Sequence, residues 1–259
     1  MSFSQTVSHY LIPLNRLYYL RQKEKEGKVI YNVDSKSKFW IRVNSPDKYT
    51  LWETWKLKSY DDNEYPIQPA DTIIDIGANI GDFSVWAARQ APKGKILAYE
   101  PDKNNYSLLM KNKKLNKCKN ILCYRQAVSD KKKTEILYTQ VEQNNATHSL
   151  FPDKYARKVP VVSTTLDEII EKHAFKSVDL LKIDAEGSEY PILFNTSKKT
   201  LKKIKKIFFE YHDYINHDYN ISGLTGYLES NGFRIKMSGS PLNLKHYLFN
   251  IGFVKAYRI

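Results

Sequence analysis

The stretch Thr72-Ile73-Ile74-Asp75-Ile76-Gly77-Ala78-Asn79-Ile80-Gly81-Asp82-Phe83 limits what this chain can fold into more than any other. An apolar β-branched run closes on an acidic residue, two glycines bracket a turn, and an amphipathic helical pattern begins at once. In an open α/β sheet, ligands bind where a strand's carboxyl end feeds a helix, because backbone N–H groups and the helix dipole converge there. The first glycine frees the backbone for a sharp turn, and the second lets the helix start lie close to a ligand.

The spacing argues against a dinucleotide. G-x-G-x-x-G counted from Gly77 needs glycine where Asn79 stands and glycine or alanine where Asp82 stands. Asp82 would also put a carboxylate at the helix start, where a pyrophosphate has to sit. A ligand without phosphates tolerates that charge better. S-adenosylmethionine, with a sulfonium, an amino-acid end, a ribose and an adenine, is such a ligand. Lys95-Ile96-Leu97-Ala98-Tyr99-Glu100 reads as the next strand, ending in Glu100 before Pro101 and Asp102. An acidic residue about twenty positions past the first turn is where a parallel fold places its acceptor for the ribose hydroxyls. A carboxylate suits that role because it accepts both protons in charge-assisted bonds. Either feature alone also fits a ligand-free turn or a solvated strand end; the pair points to one cofactor site.

These motifs, with Ala127-Val128-Ser129-Asp130, Leu180-Leu181-Lys182-Ile183-Asp184-Ala185-Glu186-Gly187-Ser188-Glu189-Tyr190 and Phe209-Glu210-Tyr211-His212, resemble the FkbM family of S-adenosylmethionine-dependent methyltransferases. The resemblance runs in order from about residue 65 to about residue 237; the flanks carry no part of it. It implies a Rossmann-like class I methyltransferase sheet, α/β and mostly parallel with a reversed last strand. It also implies cofactor contacts from Asp75, Gly77, Ala78, Asn79, Gly81, Glu100, Pro101, Asp102, Ala127 and Asp184. Members of the family are similar to O-methyltransferases acting on sugar or polyketide hydroxyls.

The 259 residues, 42% of them hydrophobic, suffice for one large α/β domain with additions. The expected division is an N-terminal helix–hairpin–helix extension, residues 1–65, on the acceptor side, then the methyltransferase domain, residues 66–259. Forty-one basic residues against 28 acidic ones leave +13, which invites a polyanion, although scattered lysines equally serve solubility. Cys118 and Cys123 are too few for a metal site and not spaced as a redox pair, which suggests a reduced, cytoplasmic protein. No apolar core follows a basic start, so no signal peptide is expected, and no run of about eighteen apolar residues suggests a membrane span.

Residues 1 to 27 read as an aromatic, partly amphipathic helix interrupted by Pro13. Lys28 to Val43 alternates as a hairpin, and Tyr49 to Tyr60 reads as a helix whose Trp52 and Trp55 suit the core better than sugar stacking. Then come strand 72–76, helix 80–91, strand 95–100, helix 102–116 and strand 120–125, an alternation that implies a parallel sheet with right-handed crossovers. Thr134 to Thr139 is a short strand, and Val141 to Lys158, with Asn144, Asn145, His148 and Ser149, is a polar segment suited to a loop over the site. Strand 178–183, helices near 188–194 and 198–204, strand 207–210 and a helix over 224–230 closed by Asn231-Gly232 follow. Phe233 to Met237 and Tyr247 to Tyr257 are expected to pair antiparallel.

Methyl transfer from a sulfonium is an in-line displacement, so the protein mainly supplies alignment and a deprotonated nucleophile. An alcohol acceptor needs a general base or a metal to lose its proton. Asp184, Glu186, Glu210 and His212 fall at or just past strand ends, and the resemblance carries the catalytic reading of Asp184. Glu186 reads equally as a cap or a surface ion pair. His212 has an ordinary pKa near neutrality. The set has no tight ligand spacing, which favours metal-free base catalysis over a divalent ion. The leading reading is therefore O-methylation of a saccharide or glycoconjugate hydroxyl. Methylation of RNA or another nucleic acid is the alternative, drawn from the charge. It lacks an Asn/Asp-Pro-Pro-aromatic motif for exocyclic amines and a Pro-Cys context for attack on a pyrimidine. A non-catalytic module of the same fold is third, opposed by the intact glycine turn and Glu100.

Overall fold

The computed structural model describes residues 27–43, 45–139, 148–149, 157–213, 219–239 and 251–259. The expected helix over residues 1–27 lies outside them, as does most of the 141–158 segment. The alternating segment after residue 27 forms a hairpin of β1 (Lys28–Asn32) and β2 (Lys38–Arg42), registered from Lys28↔Arg42 to Asn32↔Lys38. Asp34 closes its turn by accepting the Lys36 and Ser37 N–H groups at 2.7 and 2.6 Å. Helix α1 (Asp47–Trp55) starts and stops earlier than 49–60, and Arg42 holds Asp47 in its first turn with a 2.5 Å ion pair.

The strand–helix alternation then runs β3 (Thr72–Ile76), α2 (Asp82–Gln90), β4 (Lys95–Tyr99), α3 (Lys103–Leu115), β5 (Ile121–Tyr124), β6 (Ala127–Val128), β7 (Thr134–Thr139), β8 (His148–Ser149) and β9 (Arg157–Thr164). It continues with α4 (Leu166–Lys172), β10 (Leu180–Ile183), α5 (Glu189–Phe194), α6 (Lys198–Leu201), β11 (Lys206–His212), α7 (Ile221–Ser230), β12 (Phe233–Gly239) and β13 (Ile251–Arg258). Seven strands make the main sheet in the order β12-β13-β11-β10-β3-β4-β5. β5, β4, β3, β10 and β11 are parallel, and β13 runs against both β11 and β12. The mostly parallel sheet with one reversed terminal strand is as expected. From β3 the chain winds outward through β4 and β5, then returns to the other side of β3 as β10. That reversal between β3 and β10 is the switch point at which open α/β sheets bind ligands.

Side chains alternate across the sheet. Ile74, Ile76, Leu97, Leu181, Ile183, Ile207 and Phe209 enter one core layer under α4, α5 and α7. Ile73, Ile96, Ala98, Leu180, Phe208 and Phe253 enter the other, with α2, α3 and the hairpin's Val29, Phe39 and Ile41. The extension is thus continuous with the core on that face. Asn112 of α3 ties it down by accepting the Trp40 N–H at 2.7 Å and donating to the Trp40 carbonyl at 3.1 Å. Trp55 packs edge-on against Phe39 at 5.6 Å and donates its indole N–H to the Asp82 carbonyl at 3.1 Å, which is the core role expected of it.

Between β5 and β10 the structure adds a four-stranded sheet, β6-β9-β7-β8, which the sequence pattern only half discloses. β9 is masked in the sequence pattern because it opens on Arg157-Lys158 and carries Pro160, a residue that argues against a strand interior. Helix α4 had a readable start: Thr165 and Glu168 stand as a capping box, and Thr165 Oγ1 accepts the Glu168 N–H at 3.2 Å.

Candidate active site

At the end of β3 the chain turns through Gly77 (φ 75°), Asn79 (φ 47°) and Gly81 (φ 89°). The Gly77 and Ala78 N–H groups both donate to the Tyr99 carbonyl at 3.0 Å, strapping the turn to the end of β4. The Asn79 N–H donates to Glu100 Oε2 at 2.8 Å, and the Asp102 N–H donates to Glu100 Oε1 at 2.8 Å. Burial pushes the Glu100 carboxyl up to about 7, against those two donors. Asn79 Oδ1 is buried with no hydrogen-bond partner among the described residues. Helix α2 begins one residue after Gly81, later than the expected residue 80, because Gly81 occupies the left-handed region. Asp102 is placed as the N-cap of α3, accepting the Asn104 and Asn105 N–H groups at 2.8 and 2.9 Å. Pro101 lies between these two carboxylates, and Ala127, paired with Ser163 in β6, lies three residues beyond β5.

Asp75 is fully buried, accepts the Ser84 hydroxyl at 2.5 Å and faces Lys182 Nζ at 3.2 Å. Lys182, on β10 opposite Asp75, also donates to the Gly77 carbonyl at 2.9 Å and lies 3.8 Å from Asp184 Oδ2. Burial works against its charge, but the carboxylates of Asp75, Asp184 and Asp82 hold its pKa above the ordinary value. Tyr60, from the extension, donates its hydroxyl to Asp184 Oδ2 at 3.2 Å, while its ring packs edge-on against Phe83 and Phe253.

Asp184 directly follows β10, and Glu210 and His212 sit on one face at the end of β11, which is longer than the expected 207–210. The parallel register Ile183↔Phe209 sets those two strand ends side by side. One side-chain atom each of Asp184, Glu210 and His212 lie within 4.8 Å of one another. His212 is 3% exposed; its Nδ1 faces Glu189 Oε1 at 3.0 Å and its Nε2 lies 3.6 Å from Glu186 Oε2. Glu189 is itself buried and accepts the Gly187 N–H at 2.9 Å. Burial disfavours the imidazolium, yet Glu189 and Glu186 lift the His212 pKa well above its ordinary value. Glu186 is an ion-pair partner of this histidine, with backbone in the left-handed region (φ 48°).

Three residues of this site went unread in the sequence. Lys182 had a signal, a lone cation inside the buried run Leu180-Leu181-Lys182-Ile183. Glu189 had a weaker one, an acid in the first turn of the helix after Asp184. Tyr60 had none, since its contact with Asp184 spans 124 residues of chain.

Solved structures share this fold. M. jannaschii TYW2 in complex with AdoMet is 16% identical, with a TM-score of 0.50 over 92% of this chain and 89% of that one. The Methanococcus jannaschii fibrillarin pre-rRNA processing protein is 15% identical, with a TM-score of 0.51 over 92% of this chain and 85% of that one. The sheet order, the reversed β13 and these neighbours define a class I S-adenosylmethionine-dependent methyltransferase fold. Residues 75–235, well over half of the chain, match the Methyltransferase FkbM domain. The protein belongs to that family and is a methyltransferase. "Methyltransferase 1" of Beauveria bassiana is 25% identical over 214 residues, 74% of this chain and 84% of the relative. "31-O-demethyl-FK506 methyltransferase FkbM" of Streptomyces tacrolimicus is 23% identical over 240 residues, 77% of this chain and 87% of the relative.

Proposed function

We propose that the protein O-methylates a hydroxyl of a saccharide or glycoconjugate, using S-adenosylmethionine. The observation that carries this reading is the convergence of Asp184, Glu210 and His212 at the strand ends beside the glycine turn. The residues present fit the cofactor: Asn79 Oδ1 is a buried acceptor with no partner among the described residues, and the Glu100 carboxylate stands where ribose hydroxyls would donate. When bound, S-adenosylmethionine supplies an electrophilic methyl group. Asp75, Gly77, Ala78, Asn79 and Gly81 would surround its amino-acid end, and Glu100 would take the ribose, with Pro101 and Ala127 flanking. Lys182 pairs with Asp75 and Asp184 and pins the Gly77 carbonyl.

Asp184, 30% exposed, takes the acceptor proton in this reading, while Glu210 and His212 orient the hydroxyl. Tyr60 supports placing the extension, residues 1–65, on the acceptor side of domain 66–259, because its hydroxyl holds Asp184. The name of the Streptomyces tacrolimicus relative, a 31-O-demethyl-FK506 methyltransferase, supports oxygen as the methylated atom. Asp184, Glu186 and Glu210 make the acceptor end acidic, which suits a neutral polyol and repels phosphate. Two free thiols, Cys118 and Cys123, support a reducing compartment, the cytoplasm.

The test is methyl-donor turnover over glycan and RNA fractions at several salt concentrations. A saccharide acceptor gives turnover nearly independent of salt, whereas RNA methylation that falls steeply with salt overturns the acceptor assignment. Asp184→Asn should keep S-adenosylhomocysteine binding while turnover falls about 10²- to 10⁴-fold.

A further inference from the structure

Proximity of carboxylates alone marks nothing, but here the third donor is an imidazole whose orientation is imposed from behind. A carboxylate cannot donate, so the 3.0 Å contact between Glu189 Oε1 and His212 Nδ1 makes Nδ1 the protonated nitrogen. Glu189 is held in turn by the Gly187 N–H and is fully buried. A carboxylate that fixes the far nitrogen of a histidine is the usual outer support of a metal-bound imidazole, setting tautomer and ring orientation and raising ligand basicity. That arrangement directs Nε2 toward the strand-end cluster, where Glu186 Oε2 already lies 3.6 Å away.

We infer that Asp184, Glu210 and His212 Nε2 form a binding site for one redox-inert divalent cation of the magnesium or manganese class. This rests on the O-methyltransferase reading and assigns how its site activates the acceptor hydroxyl. Two ligands of one octahedral ion at about 2.0–2.1 Å from it lie roughly 3–4 Å apart, so a group already within 4.8 Å closes onto an ion with small side-chain rotations. Two carboxylate donors favour a hard, oxygen-preferring ion, and a single imidazole is compatible with manganese. The remaining coordination positions go to water or to the acceptor oxygen. A hydroxyl bound there loses its proton more readily. With a cation bound, Asp184 would serve as its ligand rather than as the base, and Glu186, 23% exposed beside the cluster, or water would take the acceptor proton. Short sequence spacing does not report such a cluster, because its ligands come from two strands set in register by the sheet.

The experiment is a manganese(II) titration of the full-length apo protein followed by electron paramagnetic resonance, with magnesium as competitor. S-adenosylhomocysteine binding is measured on the same sample by calorimetry. One saturable manganese site per chain, displaced by magnesium, is the expected result. Glu210→Gln should weaken it at least about tenfold, and Glu189→Gln, which reaches the site through His212's far nitrogen, about 10- to 100-fold. Glu229→Gln, on the exposed face of α7, should leave it unchanged. Far-ultraviolet circular dichroism confirms that each variant is folded. No saturable site up to about 1 mM cation, or a site indifferent to both Glu210→Gln and Glu189→Gln, overturns the inference. If S-adenosylhomocysteine binds while manganese does not, the cation site fails and the methyltransferase reading stands. If manganese binds and S-adenosylhomocysteine does not, the methyltransferase reading fails and the cation site survives.

Discussion

Gly77→Ala is the sharpest single probe of how the turn and the site depend on each other. Gly77 has φ 75°, a region that costs an L-residue about 1–2 kcal/mol. A Cβ there would stand 2.8 Å from the Asp184 carbonyl carbon and nearer still to its oxygen, whereas ordinary contact begins at 3.4 Å. That neighbour is backbone, so it cannot rotate away, and the end of β10 must retreat by on the order of 1 Å. Overpacking of this kind costs about 1–3 kcal/mol, for a total of roughly 2–5 kcal/mol, a large share of the usual 5–15 kcal/mol domain stability. The same retreat moves Asp184, and displacement of a reacting group by about 1 Å costs about 10²-fold in rate. Urea denaturation and methyl-donor turnover should therefore fall together. Gly226→Ala, in α7 with nothing within 4 Å of the new Cβ, should instead be neutral or stabilising by up to about 1 kcal/mol. Gly77→Ala with stability within about 1 kcal/mol of wild type and near-normal turnover would refute the placement of Asp184 against this turn.

Substitutions at three further residues have expected outcomes. Because burial holds Glu100 near 7, cofactor affinity measured by calorimetry should rise as pH climbs through about 7, and Glu100→Gln should abolish that step while lowering affinity about ten- to hundredfold. The sign for stability is opposite: the folded protein keeps a proton that the unfolded chain releases above 4.5, so Glu100 lowers stability as pH rises from 4.5 to 7, and Glu100→Gln flattens that slope. Lys182→Met leaves the buried Asp75 without its ion-pair partner and should cost about 3–5 kcal/mol in urea denaturation, partly recovered by adding Asp75→Asn; full additivity of the two changes would exclude coupling. Tyr60→Phe keeps the ring contacts with Phe83 and Phe253, so stability should drop by no more than about 1.5 kcal/mol while kcat falls with little change in cofactor affinity, and an unchanged kcat would remove Tyr60 from the site.

By itself the sequence determined the strand–helix alternation, the glycine turn at Gly77 to Gly81, Glu100 at the end of β4 and Asp184 after β10. Each is a local pattern: an apolar run, a turn residue demanded by backbone geometry, an acid where a strand ends. Such patterns act over a few residues and survive being read one segment at a time. The fate of His212, the support from Glu189, the Lys182 clamp and the reach of Tyr60 to Asp184 were decided only by the tertiary structure. Lys182 touches the Gly77 carbonyl across 105 residues of chain and Tyr60 touches Asp184 across 124. Those meetings depend on parallel register and on two apolar layers closing over the sheet. Burial and neighbouring charge, which set the proton affinities of Glu100 and His212, exist only once that packing is complete.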